Sequence, residues 1–347
     1  MSGQTRKRKN FGVAEIAEQA GVSIATVSRV LNSPEKASIQ ARRKIMDIIN
    51  ENGYVPNNST NRVLSSIANS IAIFAHDLAN PLDISIFRHL NRIALENNYM
   101  LVICGTENNF QYEEQYYKCL SSIHTKGIIY MAGTSREKLA MANSSPFYNS
   151  SIPIVLFDRT SFSDSKCYVV KSNHTKGMSM LVDYLYNLNH TKIGYITGSK
   201  DILSTAERFN SYLASMKKLN LEVRPEFIVD GDFSTQSGRA AFDYFYSLPD
   251  SPTAIIAAND LCAKGFIMRA SSLGVKIPEE FSICGYNGVD LESFYPAITS
   301  VRQNPEQIAQ AMIDLIINTN KTPPPAERII DVNFLPGDTC LKIAPSA

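Results

Sequence analysis

Among the residues that could do covalent or metal chemistry, none stands at a working distance from a partner along the chain. The six cysteines, Cys104, Cys119, Cys167, Cys262, Cys284 and Cys340, are widely spaced, form no C-x-x-C pair and have no histidine at zinc-ligand spacing. They read as reduced and mostly buried. The five histidines, at 76, 89, 124, 174 and 190, make no metal-spaced pair. Neither a phosphate-cradling G-x-G-x-x-G or G-x-x-x-x-G-K-[ST] loop nor a G-x-S-x-G nucleophile elbow occurs. An enzyme therefore has little support, and no cofactor and no metal is expected. Fold analogy to a sugar-modifying enzyme would be an argument by association only.

The spacing that does stand out suits recognition. Val13 to Asn32, VAEIAEQAGVSIATVSRVLN, places apolar residues at 13, 16, 17 and 20 and again at 24, 27, 30 and 31, a helical period on either side of Gly21-Val22-Ser23. Glycine permits the backbone that ends a helix, Val22 can plug the corner, and the Ser23 hydroxyl can cap the next helix. This is a helix-turn-helix, with Val27 and Val30 facing inward and Ile24, Ala25, Ser28 and Arg29 facing the major groove, where recognition helices read bases from their N-terminal residues. Spacing alone suits a purely structural helical hairpin equally well.

Such a module needs a body, and the chain is long enough for two or three domains at 347 residues and 44% hydrophobic content. The net charge of +1 conceals an asymmetry, since residues 1 to 62 carry +5 and the rest −4. A basic head on a mildly acidic body is the footprint of a nucleic-acid module joined to a part that avoids phosphate. No secretory signal follows the basic start, and no apolar run approaches the ~18 residues of a membrane span. A cytoplasmic protein without membrane contact is expected. From Ser70 onward, short apolar runs at 70–75, 100–104, 127–131 and 152–158, then 192–197, 226–231, 253–258 and 282–286, alternate with amphipathic segments. That is the pattern of two parallel sheets wrapped by helices, with ligands expected at the carboxyl ends of the strands.

The stretch G-V-S-I-A-T-V-S-R-V-L-N, followed by a helix from Ser38 to Asn52 and the ending Gly53-Tyr54-Val55-Pro56-Asn57, resembles the DNA-reading head of the lactose/galactose-repressor family. The resemblance implies that Ser23, Ile24, Ala25, Thr26, Ser28, Arg29 and Asn32 contact DNA. It also implies a hinge helix from Asn57 to about Ser65 that forms on the operator and enters the minor groove. The family's usual hinge residues are replaced by Thr60, Asn61 and Val63, which makes Val63 the expected wedge and Leu64 the alternative. An ordinary polar linker remains the other reading. Arg6, Lys7, Arg8 and Lys9 are expected on phosphates, adding affinity without sequence information.

The resemblance continues through LVDYLYNLNHTKIGYITG, AERFNSY, PTAIIAANDLCAKG, LGVKIPEEFSICGYN and PAITSVRQ, and so covers nearly the whole chain. It implies an α/β fold: a three-helix head at 1–56, a hinge at 57–69 and a periplasmic-binding-protein-like core of two α/β lobes at 70–347. It further implies an effector site holding His76, Tyr130, Asp158, Arg208, Phe233, Asn259, Asp260 and Asn287. Arg208 would be a forked donor, Phe233 a stacking surface, and Asn259 and Asp260 polar contacts at a strand end. Structural alternatives stand beside these: Asp158 and Asp260 as helix caps, Phe233 as core, His76 as a loop residue. Ser172 and Asn287 occupy places where the family frequently has aspartate, so the effector need not be an ordinary hexose. Expected partners are a near-palindromic duplex operator, a sugar or sugar derivative, and a second copy of the chain. The absence of a C-terminal heptad tail favours a dimer over a tetramer. A periplasmic sugar-binding protein is the rival, but it would need a signal peptide and has no use for residues 1 to 62.

Overall fold

A computed structural model describes residues 12–32, 36–52, 69–76, 79–107, 109–122, 125–131, 150, 152–158, 167–200, 202–289, 294–324 and 326–345, which fall into two compact units, 1–68 and 69–347. The first holds α1 (Val13–Ala20), α2 (Ile24–Asn32) and α3 (Ile39–Asn52). Among its described residues the core is a small cluster of Ile16, Ala17, Ala20, Val27, Val30, Ile45 and Ile49. Local signals set the helix ends. The Gly12 amide donates to the Glu15 carboxylate at 3.0 Å. Gly21 closes α1 at φ +63°, the left-handed conformation that glycine adopts without a Cβ penalty. Ser23 Oγ accepts the Thr26 amide at 3.2 Å, and Ser38 Oγ accepts that of Ala41 at 3.3 Å.

The second unit is built on two parallel sheets. The larger has β1 (Ser70–Ala75), β2 (Met100–Gly105), β3 (Gly127–Tyr130), β4 (Ile154–Phe157), β5 (Tyr168–Ser172) and β11 (Ala326–Ile330), in the order β11-β5-β4-β3-β1-β2. Ile71, Ile73, Ile129, Val155 and Val170 point to one face, under α4 (Pro81–Glu96) and α10 (Pro305–Ile317). Ala72, Phe74, Ile128, Ile154 and Leu156 point to the other, toward Leu120 of α5 (Phe110–Ser122). A strand covered on both faces reads as an unbroken apolar run, which is why β1, β3 and β4 were visible in the sequence.

The smaller sheet runs β7-β6-β8-β9, from β6 (Ile193–Ile196), β7 (Ile228–Val229), β8 (Ala254–Ala257) and β9 (Ser282–Cys284). One face packs on α6 (His174–Asn187) and α7 (Leu203–Lys218), the other on α8 (Thr235–Ser247) and α9 (Asp260–Ser272). β10 (Ser300–Arg302) and β12 (Asn333–Leu335) pair antiparallel. Because α10 and β11 follow the second lobe in sequence yet pack into the first, the chain crosses between lobes after Ser172, before Pro305 and after Ile330.

Several details depart from expectation. The apolar run at 226–231 is only the two-residue β7, preceded by a 3-10 turn at Pro225–Phe227. β5, β10, β11 and β12 were not anticipated. β10 and β12 are three residues each, too short to show a period. β11 is an edge strand whose Glu327 is exposed, which breaks the apolar run. Of the cysteines, Cys119 is exposed rather than buried. No helix among the described residues is long and apolar enough to cross a membrane.

Candidate functional site

The first surface lies on the head. In α2, Val27 and Val30 are buried, while Ile24 is 57% exposed and Ala25, Ser28 and Arg29 are exposed beside it. An exposed isoleucine this large needs a reason in so small a unit. Ser23 is exposed and Thr26 half-buried, their hydroxyls 2.9 Å apart, and Asn32 is the last residue of α2. α3 adds exposed Arg42, Arg43 and Lys44. Asn57, Val63 and Leu64 lie outside the described residues, as do Arg6, Lys7, Arg8 and Lys9.

The second site lies in the core, where the ends of β4 and β5 meet the residues that follow β8 and β9. Asp158, just past β4, has φ +49°, and its Oδ1 accepts the Ser172 amide at 2.9 Å. Its Oδ2 is 3.2 Å from His174 Nε2, at the start of α6. Burial opposes ionisation of this carboxyl most strongly. His174, the Ser172 amide and Arg208 together outweigh it and hold the group below the ordinary carboxylate range. His174 Nδ1 faces two donors, Tyr286 Oη at 3.1 Å and Arg208 Nε at 3.4 Å. That leaves Nδ1 as the acceptor and the Nε2 proton toward Asp158.

Arg208, in α7, is only 4% exposed. Its Nη1 donates to the Ala258 carbonyl at 2.9 Å, and its guanidinium carbon lies 4.1 Å from the centre of the Tyr286 ring. Burial pushes the Tyr286 phenol well above its ordinary range, so it stays a donor.

Beside this cluster runs a neutral chain. The Ser172 hydroxyl donates to Gln303 Oε1, and Gln303 Nε2 donates to Asn287 Oδ1 at 2.7 Å. Asn287 is buried at φ +100°, with its amide on the Val301 carbonyl. The two positions where the family pattern has aspartate are thus joined through one glutamine, and no charge is needed at either end. A cavity of about 250 Å³ opens next to Asn287 and Gln303, lined also by Leu82, Ser85 and Arg88.

The remaining expected residues sit in supporting roles. Phe233 has φ +71°, and its ring lies so close over Gly198 that a Cβ there would meet it at 2.0 Å. Asn259 caps α9, with Oδ1 on the Cys262 amide at 2.8 Å and Nδ2 on the Phe233 carbonyl at 2.9 Å. The expected alternative of Asp260 as a helix cap gives way to this, because Asn259 already holds that position. Asp260 instead ties the start of α9 to a crossover, accepting from Ser300 Oγ at 2.6 Å and the Val289 amide at 2.9 Å. Burial pushes its carboxyl up to about 7. The Tyr130 hydroxyl donates to buried Glu113 at 2.6 Å, and His76 is half-buried just past β1. Asp158 likewise caps no helix. His174, Tyr286 and Gln303 were not singled out from sequence, although Tyr286 and Gln303 lie in stretches that carried the resemblance.

A model of the bacterial regulatory proteins of the lacI family matches residues 13–57, and one of the periplasmic binding protein-like domain matches residues 182–340. The HTH-type transcriptional repressor PurR of Vibrio vulnificus is 25% identical over 334 residues, 95% of this chain and 99% of that one. Among solved structures, the lac repressor dimer bound to operator and the anti-inducer ONPF superposes with a TM-score of 0.77 at 20% identity, over 96% of this chain and 100% of that one. The complex of the transcriptional regulator CelR with cellobiose gives 0.67 at 22% identity, over 95% and 100%.

Proposed function

Since the chain belongs to the lacI family of bacterial regulatory proteins, we propose that it represses transcription from a near-palindromic operator under the control of a small polar effector bound between the lobes of its core. The observation that carries this reading is the division of labour between the two units. The head presents Ile24, Ala25, Ser28 and Arg29 outward on a short helix, and the core gathers Arg208, His174 and Asp158 from both lobes into one polar cluster. Arg208 is the proposed anchor for the effector, with Phe233 as its stacking surface. A sugar or sugar derivative is favoured, and cellobiose in the CelR structure of the same fold supports that class. The neutral Ser172–Gln303–Asn287 chain both donates and accepts, which suits a ligand whose hydroxyls do the same. No catalytic step is assigned to any residue.

A two-fold dimer is part of the proposal, because each helix-turn-helix reads only a few base pairs and two half-sites are needed for specificity. Ile84 and Leu95 of α4 and Met100 and Ile103 of the edge strand β2 are exposed apolar side chains on adjoining elements, which supports this face as the contact. Asn57, Val63 and Leu64 are the proposed hinge residues on DNA.

The test is selection of duplexes from a random pool by the full-length protein, followed by thermal-shift screening of sugars, sugar phosphates and nucleosides. The expected result is one near-palindromic sequence and a ligand that both raises the melting temperature and changes operator affinity. Sequence-indifferent DNA binding, or a stabilising ligand without effect on operator affinity, would contradict the proposal.

A further inference from the structure

Two cysteines that play no part in either site are in contact. Cys284 lies in β9 and Cys340 in the segment that follows β12, 56 positions apart in sequence, with their Sγ atoms 3.5 Å apart. Their backbones are laced together around the sulfurs. The Ile283 amide donates to the Thr339 carbonyl at 2.8 Å, Thr339 Oγ1 donates back to the Ile283 carbonyl at 2.6 Å, and the Leu341 amide donates to Ser282 Oγ at 3.0 Å. The Thr299 amide, beside β10, donates to Thr339 Oγ1 at 2.9 Å, which fixes the segment from its other side. Sulfurs held 3.5 Å apart must close by about 1.5 Å to reach a disulfide of ~2.05 Å.

The two thiols are not equivalent. Cys284 is fully buried, and burial pushes its thiol far up. Cys340 is half-buried, and the hydrogen bond from Cys284 holds it below the ordinary thiol range in spite of burial. One partly accessible, more acidic thiol with a fully buried thiol behind it is the arrangement of an attacking and a resolving cysteine. Elsewhere the buried thiols differ: Cys104 is pushed up to about 11 and Cys262 to about 12 by burial.

We infer that Cys284 and Cys340 form a two-electron redox site that hydrogen peroxide closes to a disulfide and a dithiol reopens. The Cys340 thiolate attacks one peroxide oxygen, the O–O bond breaks, and the departing hydroxide takes up a proton to leave as water. Cys284 then attacks the Cys340 sulfenic sulfur, the S–O bond breaks, and a second water leaves. Two thiols lose two electrons, and peroxide is reduced to two waters. The closed bond would clamp the C-terminal segment to the edge of the smaller sheet.

The experiment uses the full chain with Cys119→Ser, which removes the exposed thiol on α5 and leaves five. After peroxide, the expected result is three titratable thiols and one linked peptide pair containing Cys284 and Cys340. Dithiothreitol should restore both, and the oxidised form should melt several degrees above the reduced one. Adding Cys340→Ala should leave all remaining thiols untouched. The inference is overturned if all five thiols persist, if Cys340 proceeds to sulfinic acid without linkage, or if either sulfur is linked to a different cysteine. Peptide mapping of the folded Cys119→Ser protein decides this even if the further variant does not fold.

Discussion

The head and the core organise function in opposite ways. The head is three short helices on a cluster of small and medium apolar residues, and among the described residues its candidate contacts Ser23, Ile24, Ala25, Ser28 and Arg29 lie outside that cluster, exposed to solvent. The core has two sheets, each covered on both faces, and most of its candidate contacts are inside, hydrogen-bonded to one another. An outward site can be altered without touching the fold that carries it. An inward one cannot, because each polar group removed leaves a buried partner unsatisfied. The contrast orders the expected effects.

The largest follows from the thinness of the head. Ile45 is fully buried and packs across α3 onto α1 and α2. Ile45→Ala should cost ~2–5 kcal/mol, comparable with the whole stability of so small a unit. Operator binding should vanish while the core keeps its melting transition, as read by calorimetry beside a gel-shift titration. A core transition displaced as far as the head's would break the comparison.

Next comes the core's response to pH, where two buried carboxyls act in opposite senses. Asp260, raised from 3.8 to about 7, keeps its proton in the folded state after the unfolded chain has lost it. Its contribution is intact below about pH 4 and is lost as pH rises toward 7, by an amount of the order of a few kcal/mol. Asp260→Asn should relieve this, since Ser300 can turn its hydroxyl to accept from the new amide nitrogen in the place of Oδ1, while the amide oxygen in the place of Oδ2 keeps the Val289 amide. The variant should therefore gain on wild type between pH 4 and 7. Asp158, held below the ordinary range, contributes stability at neutral pH that fades as the solution is acidified below about 3.8. Asp158→Asn should lose most at neutral pH and converge with wild type in acid. Denaturant melts across pH read both, and parallel curves for the two variants would refute the assignment.

Arg208 tests whether the inward site is also a working one. Arg208→Ala removes the donor to the Ala258 carbonyl and the cation over Tyr286, at roughly 1–3 kcal/mol of core stability. Arg208→Lys keeps the charge but loses the fork. Either should abolish the effector's change in operator affinity, expected in wild type at roughly 5- to 150-fold, while basal affinity stays near wild type. Operator titration with and without the ligand found by screening checks this, and a full response in both variants would move the effector site elsewhere.

The sequence was most legible where one local rule decides the outcome. Gly21 with φ +63°, Ser23 at the start of α2 and the buried Val27 and Val30 follow from turn chemistry and the helical period. So do β1, β3 and β4, whose two buried faces leave unbroken apolar runs. What stayed hidden depends on distant pairings. Asn259 and Asp260 are adjacent at one strand end, yet one caps a helix and clamps Phe233 while the other pins a crossover 40 residues away. Gln303 looks like any polar residue after a strand until Ser172, 131 positions earlier, is found hydrogen-bonded to it.

Returning to the outward site, Arg29→Ala should cost ~1–3 kcal/mol of operator affinity and relax the preference at one base-pair position. The melting temperature should stay unchanged because Arg29 is exposed. Retained affinity and selectivity would mean that α2 is not the reading helix.

The smallest effect comes from Lys171, and it separates two kinds of charge. Its Nζ, on β5, lies 3.2 Å from Glu207 of α7 and 3.7 Å from Glu327 of β11, so it ties the first lobe's sheet to the helix that carries Arg208. The lysine side chain is 15% exposed but both carboxylates are 40% or more, and water therefore screens the pairs. Lys171→Met preserves the aliphatic stem and should cost less than about 1 kcal/mol. That difference should shrink further as salt is raised, while operator affinity falls by orders of magnitude over the same range, because counterions displaced from DNA return. Melting and gel-shift titrations over one salt series measure both slopes. A Lys171→Met penalty of several kcal/mol, insensitive to salt, would instead make this ion pair a strut of the core.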